Sequence, residues 1–144
     1  MRPLRSCVTQ KKIIPAEVLE SVHDNSAGGV VLFLGTVRNR NEGRAVIGLE
    51  YETYHEMAEK RLAEVEKEAR ARWRVKRITM IHREGRLRVG EVSVAVAVSS
   101  EHRAEAFEAA RFAIDRIKTS APIWKREVLK GGKKLWVDGV PIQR

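Results

Sequence analysis

Valine occupies every second position from Val92 to Val98, and the residues alternating with them, Ser93, Ala95, Ala97 and Ser99, are all small. A period of two is the signature of a β-strand, whose successive side chains point to opposite faces. The strand is predicted over Glu91 to Ser99, with the valines on one face and the small residues on the other. The small-residue face invites the close approach of a helix, and one follows directly. Ala106, Phe107, Ala110, Ile114 and Ile117 form an apolar stripe from Glu101 to about Lys118, with Ser99 or Ser100 as N-cap and Pro122 beyond the end.

A second long helix is written from His55 onward, where Ala58, Leu62, Val65, Ala69 and Trp73 recur every three or four residues against a face of Glu, Lys and Arg. Pro15 suits the first turn of a short helix running toward His23. Strand character covers Cys7 to Ile13, Val30 to Val37, Val46 to Tyr54 and Val75 to His82, with a short addition around Gly85 to Gly90. Asn39 to Gly43 reads as a polar loop. Ile123 to Leu129 and Lys134 to Val137 form a hairpin turning at Gly131 and Gly132, with Trp124 directed to the core. Strands and helices mix without regular βαβ alternation, so the class expected is α+β. With 144 residues and no repeat, linker or low-complexity tract, residues 1–144 are expected to form a single domain.

Hydrophobic residues at 43% and charged residues at 33% suit a folded globular chain. The longest apolar runs, such as Val30 to Leu34, fall far short of the roughly 18 residues of a membrane span. No signal peptide is visible after Met1 to Ser6, so the expected location is cytoplasmic, without a membrane partner. A net charge of +9 requires an anionic partner and leaves open nucleic acid, an acidic protein and a phosphorylated small molecule. Cys7 stands alone and His23, His55, His82 and His102 are scattered, so no metal and no cofactor are expected.

Three basic clusters sit at ends of regular elements, where side chains can converge on a ligand. The first is Gly35-Thr36-Val37-Arg38-Asn39, at the end of an apolar strand. The second is His102-Arg103 at the start of the long helix, where free N–H groups favour an anion. The third is Lys118 with Lys125-Arg126-Glu127, across the break from Thr119 to Pro122. Each taken alone reads first as solvated surface charge, or for Lys118 as a lysine answering the helix dipole. Lys118 and Lys125 gain weight together, because neighbouring ammonium groups disfavour each other's charge and lower a lysine pKa toward acid–base chemistry.

The stretches Phe33-Leu34-Gly35-Thr36-Val37-Arg38-Asn39, Ile81-His82-Arg83-Glu84-Gly85, Ser100 to Phe107 and Lys118 to Glu127 together resemble the catalytic, large subunit of molybdopterin synthase, in the same order from about residue 28 to 137. The resemblance implies an α/β-hammerhead-like fold and a sulfurtransferase of molybdenum cofactor biosynthesis. The implied reaction converts cyclic pyranopterin monophosphate, precursor Z, to molybdopterin by inserting two sulfur atoms as a dithiolene. It further implies a homodimer inside a heterotetramer, with a small ubiquitin-like subunit donating sulfur from a C-terminal Gly-Gly thiocarboxylate. On matching positions Thr36, Val37, Arg38, His102, Arg103, Lys118, Lys125, Arg126 and Glu127 would line the pterin phosphate site, with Lys118 and Lys125 the catalytic candidates. The first 27 residues carry no assignment, and the tail from Asp138 to Arg144 is shorter than is common in the family.

Geometry adds a condition. Arg103 and Lys118 lie 15 residues apart, or about 22 Å along a continuous helix, more than a small pterin spans. Either the helix breaks or the site combines two subunits, and the second reading is preferred. Two competing functions are set aside. A nucleic-acid module lacks an exposed aromatic stripe, since aromatic residues are only 6%. A persulfide carrier built on Cys7 lacks a paired basic constellation.

Overall fold

The computed structural model describes residues 4–137, and the tail from Asp138 lies outside them. In chain order the elements are β1 (Cys7–Thr9), α1 (Pro15–Ser21), β2 (Gly29–Thr36), β3 (Arg40–Asn41), β4 (Arg44–Thr53), α2 (His55–Arg72), β5 (Arg77–Arg83), β6 (Gly85–Arg88), β7 (Val92–Ser100), α3 (Arg103–Ser120), β8 (Ile123–Leu129) and β9 (Lys134–Val137). One sheet has the order β1-β5-β7-β2, with β1 parallel to β5 and the other pairs antiparallel. The second runs β3-β4-β8-β9, and β6 also pairs with β4. The class is α+β, as the element order implies. No helix of the described residues is long and apolar enough to cross a membrane.

Strand β7 is covered on both faces, and the long helix lies on the face opposite to the small-residue face expected to receive it. Val94, Val96 and Val98 pack in one cluster with Ala58, Leu62 and Val65 of α2 and with Ala106, Ala109, Ala110, Ala113, Ile114 and Ile117 of α3. Ala95 and Ala97 face Ile13, Val18 and Val22 around the short α1. The close approach to the long helix is therefore made by alanines on α3 against valines on the sheet. Phe107, counted in the apolar stripe, is instead 63% exposed.

The start of α3 also differs. Strand β7 runs on through Ser100, which pairs with Gly29, so neither serine is free to cap. His102 is the N-cap, without a side-chain cap bond, and the Ser100 hydroxyl donates to the His102 carbonyl. From there α3 is unbroken to Ser120 and closes on the Ala121 N–H to Ile117 carbonyl bond. The loop expected over Asn39 to Gly43 is the tip of a small ribbon. Arg40 pairs with Ala45 and Asn41 with Arg44, around Glu42 and Gly43 at φ 49° and 79°, the left-handed pair that a two-residue hairpin turn needs. Trp124 is half-buried outside the core clusters, its ring 6.4 Å edge-on from that of exposed Tyr54.

Candidate active site at the end of β2

A cavity of about 280 Å³ opens where the first sheet meets the second. Its walls include Gly35 and Thr36 of β2, Arg38 beyond it, Arg40 and Asn41 of the ribbon, Leu49 and Tyr51 of β4, Ser93 of β7, Lys118 of α3, and Lys125 and Glu127 of β8. Each wall has a local cause. The ladder with β7 shifts register between Gly35 and Thr36, which ends β2. Val37 then turns inward to join Val46, Leu49, Tyr51 and Leu87, its N–H bonded to Glu91 and its carbonyl to the N–H of Gly90. That anchor leaves Arg38 at the rim.

On the second sheet, Tyr51 lies opposite Lys125 and Leu49 opposite Glu127. Directly opposed residues of an antiparallel pair share a face, so these four side chains point together into the cavity. Arg126, between them, points the other way. It pairs with Glu50 at 2.6 Å and lies over the Trp136 ring at 4.9 Å, while Lys134 holds the second Glu50 oxygen at 2.9 Å.

The electrostatics set Lys125 apart. Burial lowers its pKa first, and the charges of Lys118 and Arg38 lower it further against the opposing pull of Glu127. The Glu127 carboxylate is buried and accepts from Asn41 Nδ2 at 2.6 Å and Arg44 Nη2 at 3.1 Å, tying the ribbon over the cavity. Burial pushes the Tyr51 hydroxyl up, tempered by its hydrogen bond with Ser93. Behind Tyr51, at 4.9 Å between ring centroids, is His82. Its Nδ1–H donates to the Arg83 carbonyl at 2.7 Å, and burial, with Lys118 and Lys125 nearby, lowers its pKa to about 4.

Of the residues singled out from the sequence, Thr36, Arg38, Lys118, Lys125 and Glu127 meet in this cavity. Val37 and Arg126 do not line it, for the reasons just given. His102 and Arg103 stand exposed at the opposite end of β2, where a Cβ on Gly29 would meet the Arg103 Cα at 3.1 Å. Gly29 and Gly35 are about 20 Å apart along an extended strand, which agrees with the length of unbroken α3. Within one chain the two basic groups stay apart. Sequence reasoning missed Arg40, Asn41, Tyr51 and Ser93. Tyr51 and Ser93 enter through long-range strand pairing, and the glycine-bearing turn after Asn41 was the only local sign of the ribbon.

Cys7 lies on β1, at the far edge of the first sheet from β2. Burial and the charge of Glu59 raise its pKa, the reverse of an activated thiolate. A wider depression of about 910 Å³ runs along β6 past Arg86 and Arg88. Its one acid, Glu91, is held there as a clamp by Arg83 and the Arg88 N–H.

The proteins similar to this chain are of one family. The molybdopterin synthase catalytic subunit of Halalkalibacterium halodurans is 41% identical over 137 residues, covering 95% of this chain and 87% of the relative. That of Thermoplasma volcanium is 43% identical over 129 residues, covering 90% and 94%. The crystal structure of molybdopterin synthase from Staphylococcus aureus superposes with a TM-score of 0.87 at 35% identity, covering 92% of this chain and 96% of the other. A complex of subunits 1 and 2 of molybdopterin-converting factor from Helicobacter pylori shares the fold, with a TM-score of 0.77 at 22% identity over 94% and 93% of the two chains. The family model described as MoaE protein matches residues 8–120. By that match and these relatives, the chain belongs to the MoaE family of molybdopterin synthase catalytic subunits.

Proposed function

We propose that this chain, acting as one cytoplasmic domain, converts cyclic pyranopterin monophosphate to molybdopterin, adding two sulfur atoms as a dithiolene. The observation that carries this reading is the convergence of Arg38, Lys118 and Lys125 on one cavity, with the Lys125 proton loosened by burial and by the other two cations. A cyclic phosphate and a carboxylate-type sulfur donor both need cationic surroundings. A lysine of lowered pKa gives up its proton to a departing oxygen more readily than an ordinary lysine, and its neighbour steadies the acyl intermediate formed at each transfer.

The sulfur comes from the thiocarboxylated Gly-Gly terminus of a small ubiquitin-like partner, whose extended tail enters the cavity. Two such partners and two copies of this chain make a heterotetramer. The two-subunit complex from Helicobacter pylori supports that arrangement. On this reading Cys7, whose thiol is pushed up by burial and by Glu59, takes no part in the transfer, and Cys7→Ser should leave sulfur insertion unchanged. Arg103 and His102 complete the site from the second copy, since one chain holds them a helix length away from Lys118.

The test supplies precursor Z and thiocarboxylated small subunit and measures dithiolene product, with Lys118→Ala as control. Wild type yields product and the control does not; equal yields would defeat the assignment. Mixing Arg103→Ala chains with Lys118→Ala chains restores part of the activity through hybrid dimers carrying one intact site.

A further inference from the structure

The cationic side chains that close in on the cavity, Arg38, Arg40, Lys118 and Lys125, donate hydrogen bonds and accept none. Two acceptors buried in its walls are already engaged. Glu127 gives one carboxylate oxygen to Asn41 and the other to Arg44, and the Gly35 carbonyl accepts from the Ser93 hydroxyl at 3.2 Å.

Tyr51 is placed differently. Its hydroxyl is hydrogen-bonded with that of Ser93, whose single proton is committed to Gly35, because a carbonyl can only accept. The Tyr51 proton therefore lies toward Ser93, and the lone pairs of its oxygen are left to whatever occupies the cavity. The ring is held in that attitude. It is 9% exposed, packs with Val37, Val46, Leu49 and Leu87, and stands edge-on to His82 at 4.9 Å. Its register opposite Lys125 sets it beside the cations.

We propose that Tyr51 determines specificity at this site, its phenol oxygen accepting an N–H of the pterin ring while the cations hold the phosphate. The proposal rests on the functional reading above and names the wall that tells a pterin from any other anion. Arginine and lysine answer every phosphate alike and do not read what it is attached to. Cyclic pyranopterin monophosphate is a fused, rigid body, so a phosphate clamped by Arg38, Lys118 and Lys125 fixes where the ring N–H groups lie. A ring N–H that met only other donors there would lose water and gain no partner. An extended peptide tail also carries N–H groups, but it turns at each residue and can direct them elsewhere. The acceptor is moreover a neutral one. Burial raises the Tyr51 pKa, so the phenol keeps its proton and leaves the charge of Lys125 to the phosphate, which a carboxylate at this place would not.

Tyr51→Phe removes one oxygen and keeps the ring that packs on His82. In the complex with thiocarboxylated small subunit it should raise KM for precursor Z about tenfold and change kcat by less than about threefold. Ser93→Ala leaves the phenol but frees its proton to turn toward the ligand, and should raise KM about threefold. Binding to the chain alone separates ring from anion. Tyr51→Phe should weaken 6,7-dimethyltetrahydropterin, which has ring N–H donors and no phosphate, by about tenfold, and leave phenyl phosphate, an anion without N–H donors, unchanged. A His82 imidazole that stays neutral at pH 6 in Tyr51→Phe shows the wall behind the site intact. Should Tyr51→Phe misfold, Ser93→Ala decides with the same two probes. An unchanged KM overturns the proposal, and so does equal weakening of both probes, which would make Tyr51 a support of the wall. A wild type that yields no dithiolene product defeats the functional reading instead, and the two probes then decide Tyr51 by themselves.

Discussion

His82 offers a measurement of how dry the wall behind the cavity is. Its pKa is lowered from 6.5 to about 4, by burial first and then by Lys118 and Lys125, against the opposing bond to the Arg83 carbonyl. Above pH 6.5 the imidazole is neutral in both the folded and unfolded chain, and it costs nothing. Between 6.5 and about 4 the unfolded chain binds a proton that the folded chain does not, so stability falls as pH falls. At about 1.4 kcal/mol per pH unit the full cost is on the order of 3 kcal/mol, of which about 2 kcal/mol has accrued by pH 5. Urea unfolding of the wild type and His82→Gln at pH 7.5 and pH 5 isolates this contribution, because the glutamine does not titrate and other groups cancel in the difference. The wild type should lose about 2 kcal/mol more than the variant on going to pH 5, at unchanged m-value. Parallel losses, or a His82 imidazole resonance with a midpoint near 6.5, would refute the picture of a buried ring held neutral beside two lysines.

Other perturbations separate roles that the sequence runs together. Glu127→Gln removes the one charge that holds the Lys125 proton in place; Lys125 should then react faster with an amine-directed acylating reagent at pH 7, and slower labelling by peptide mass spectrometry would contradict this. Arg126→Met should leave turnover within about twofold of wild type while Lys125→Met lowers it by at least about 100-fold, because Arg126 serves Glu50 and Trp136 on the opposite face. A Cβ at Gly28 would sit 2.4 Å from the Glu101 carbonyl oxygen, backbone that cannot swing aside; Gly28→Ala should cost at least about 2 kcal/mol in urea unfolding. Gly43→Ala meets nothing within 4 Å but stays at φ 79°, so its cost should be nearer about 1 kcal/mol.

Much of this architecture is legible in the chain because its helices and strands differ in apolar period. Ala58, Leu62, Val65 and Ala69 place α2, and the valine alternation places β7, without any knowledge of partners. Which face of β7 receives which helix is not local information: α3 brings alanines and so takes the valines, leaving Ala95 and Ala97 to α1. The same limit hid Tyr51, whose place beside Lys125 depends on a strand register between residues far apart in sequence.

Arg126 carries a different lesson. Period two along β8 already puts Lys125 and Glu127 on one face and Arg126 on the other, so its exclusion from the cavity was readable from the strand alone, and family resemblance had argued against it. The separation of Arg103 from Lys118 was readable in the same way, as a length of helix, and β2 now supplies an independent ruler of nearly equal length with a free edge beside it. A residue set drawn from several motifs describes one site only when the rigid elements between the motifs let it close. Here helix α3 and strand β2 both forbid closure within one chain, so Arg103 and Lys118 serve one site only where a second copy supplies one of them.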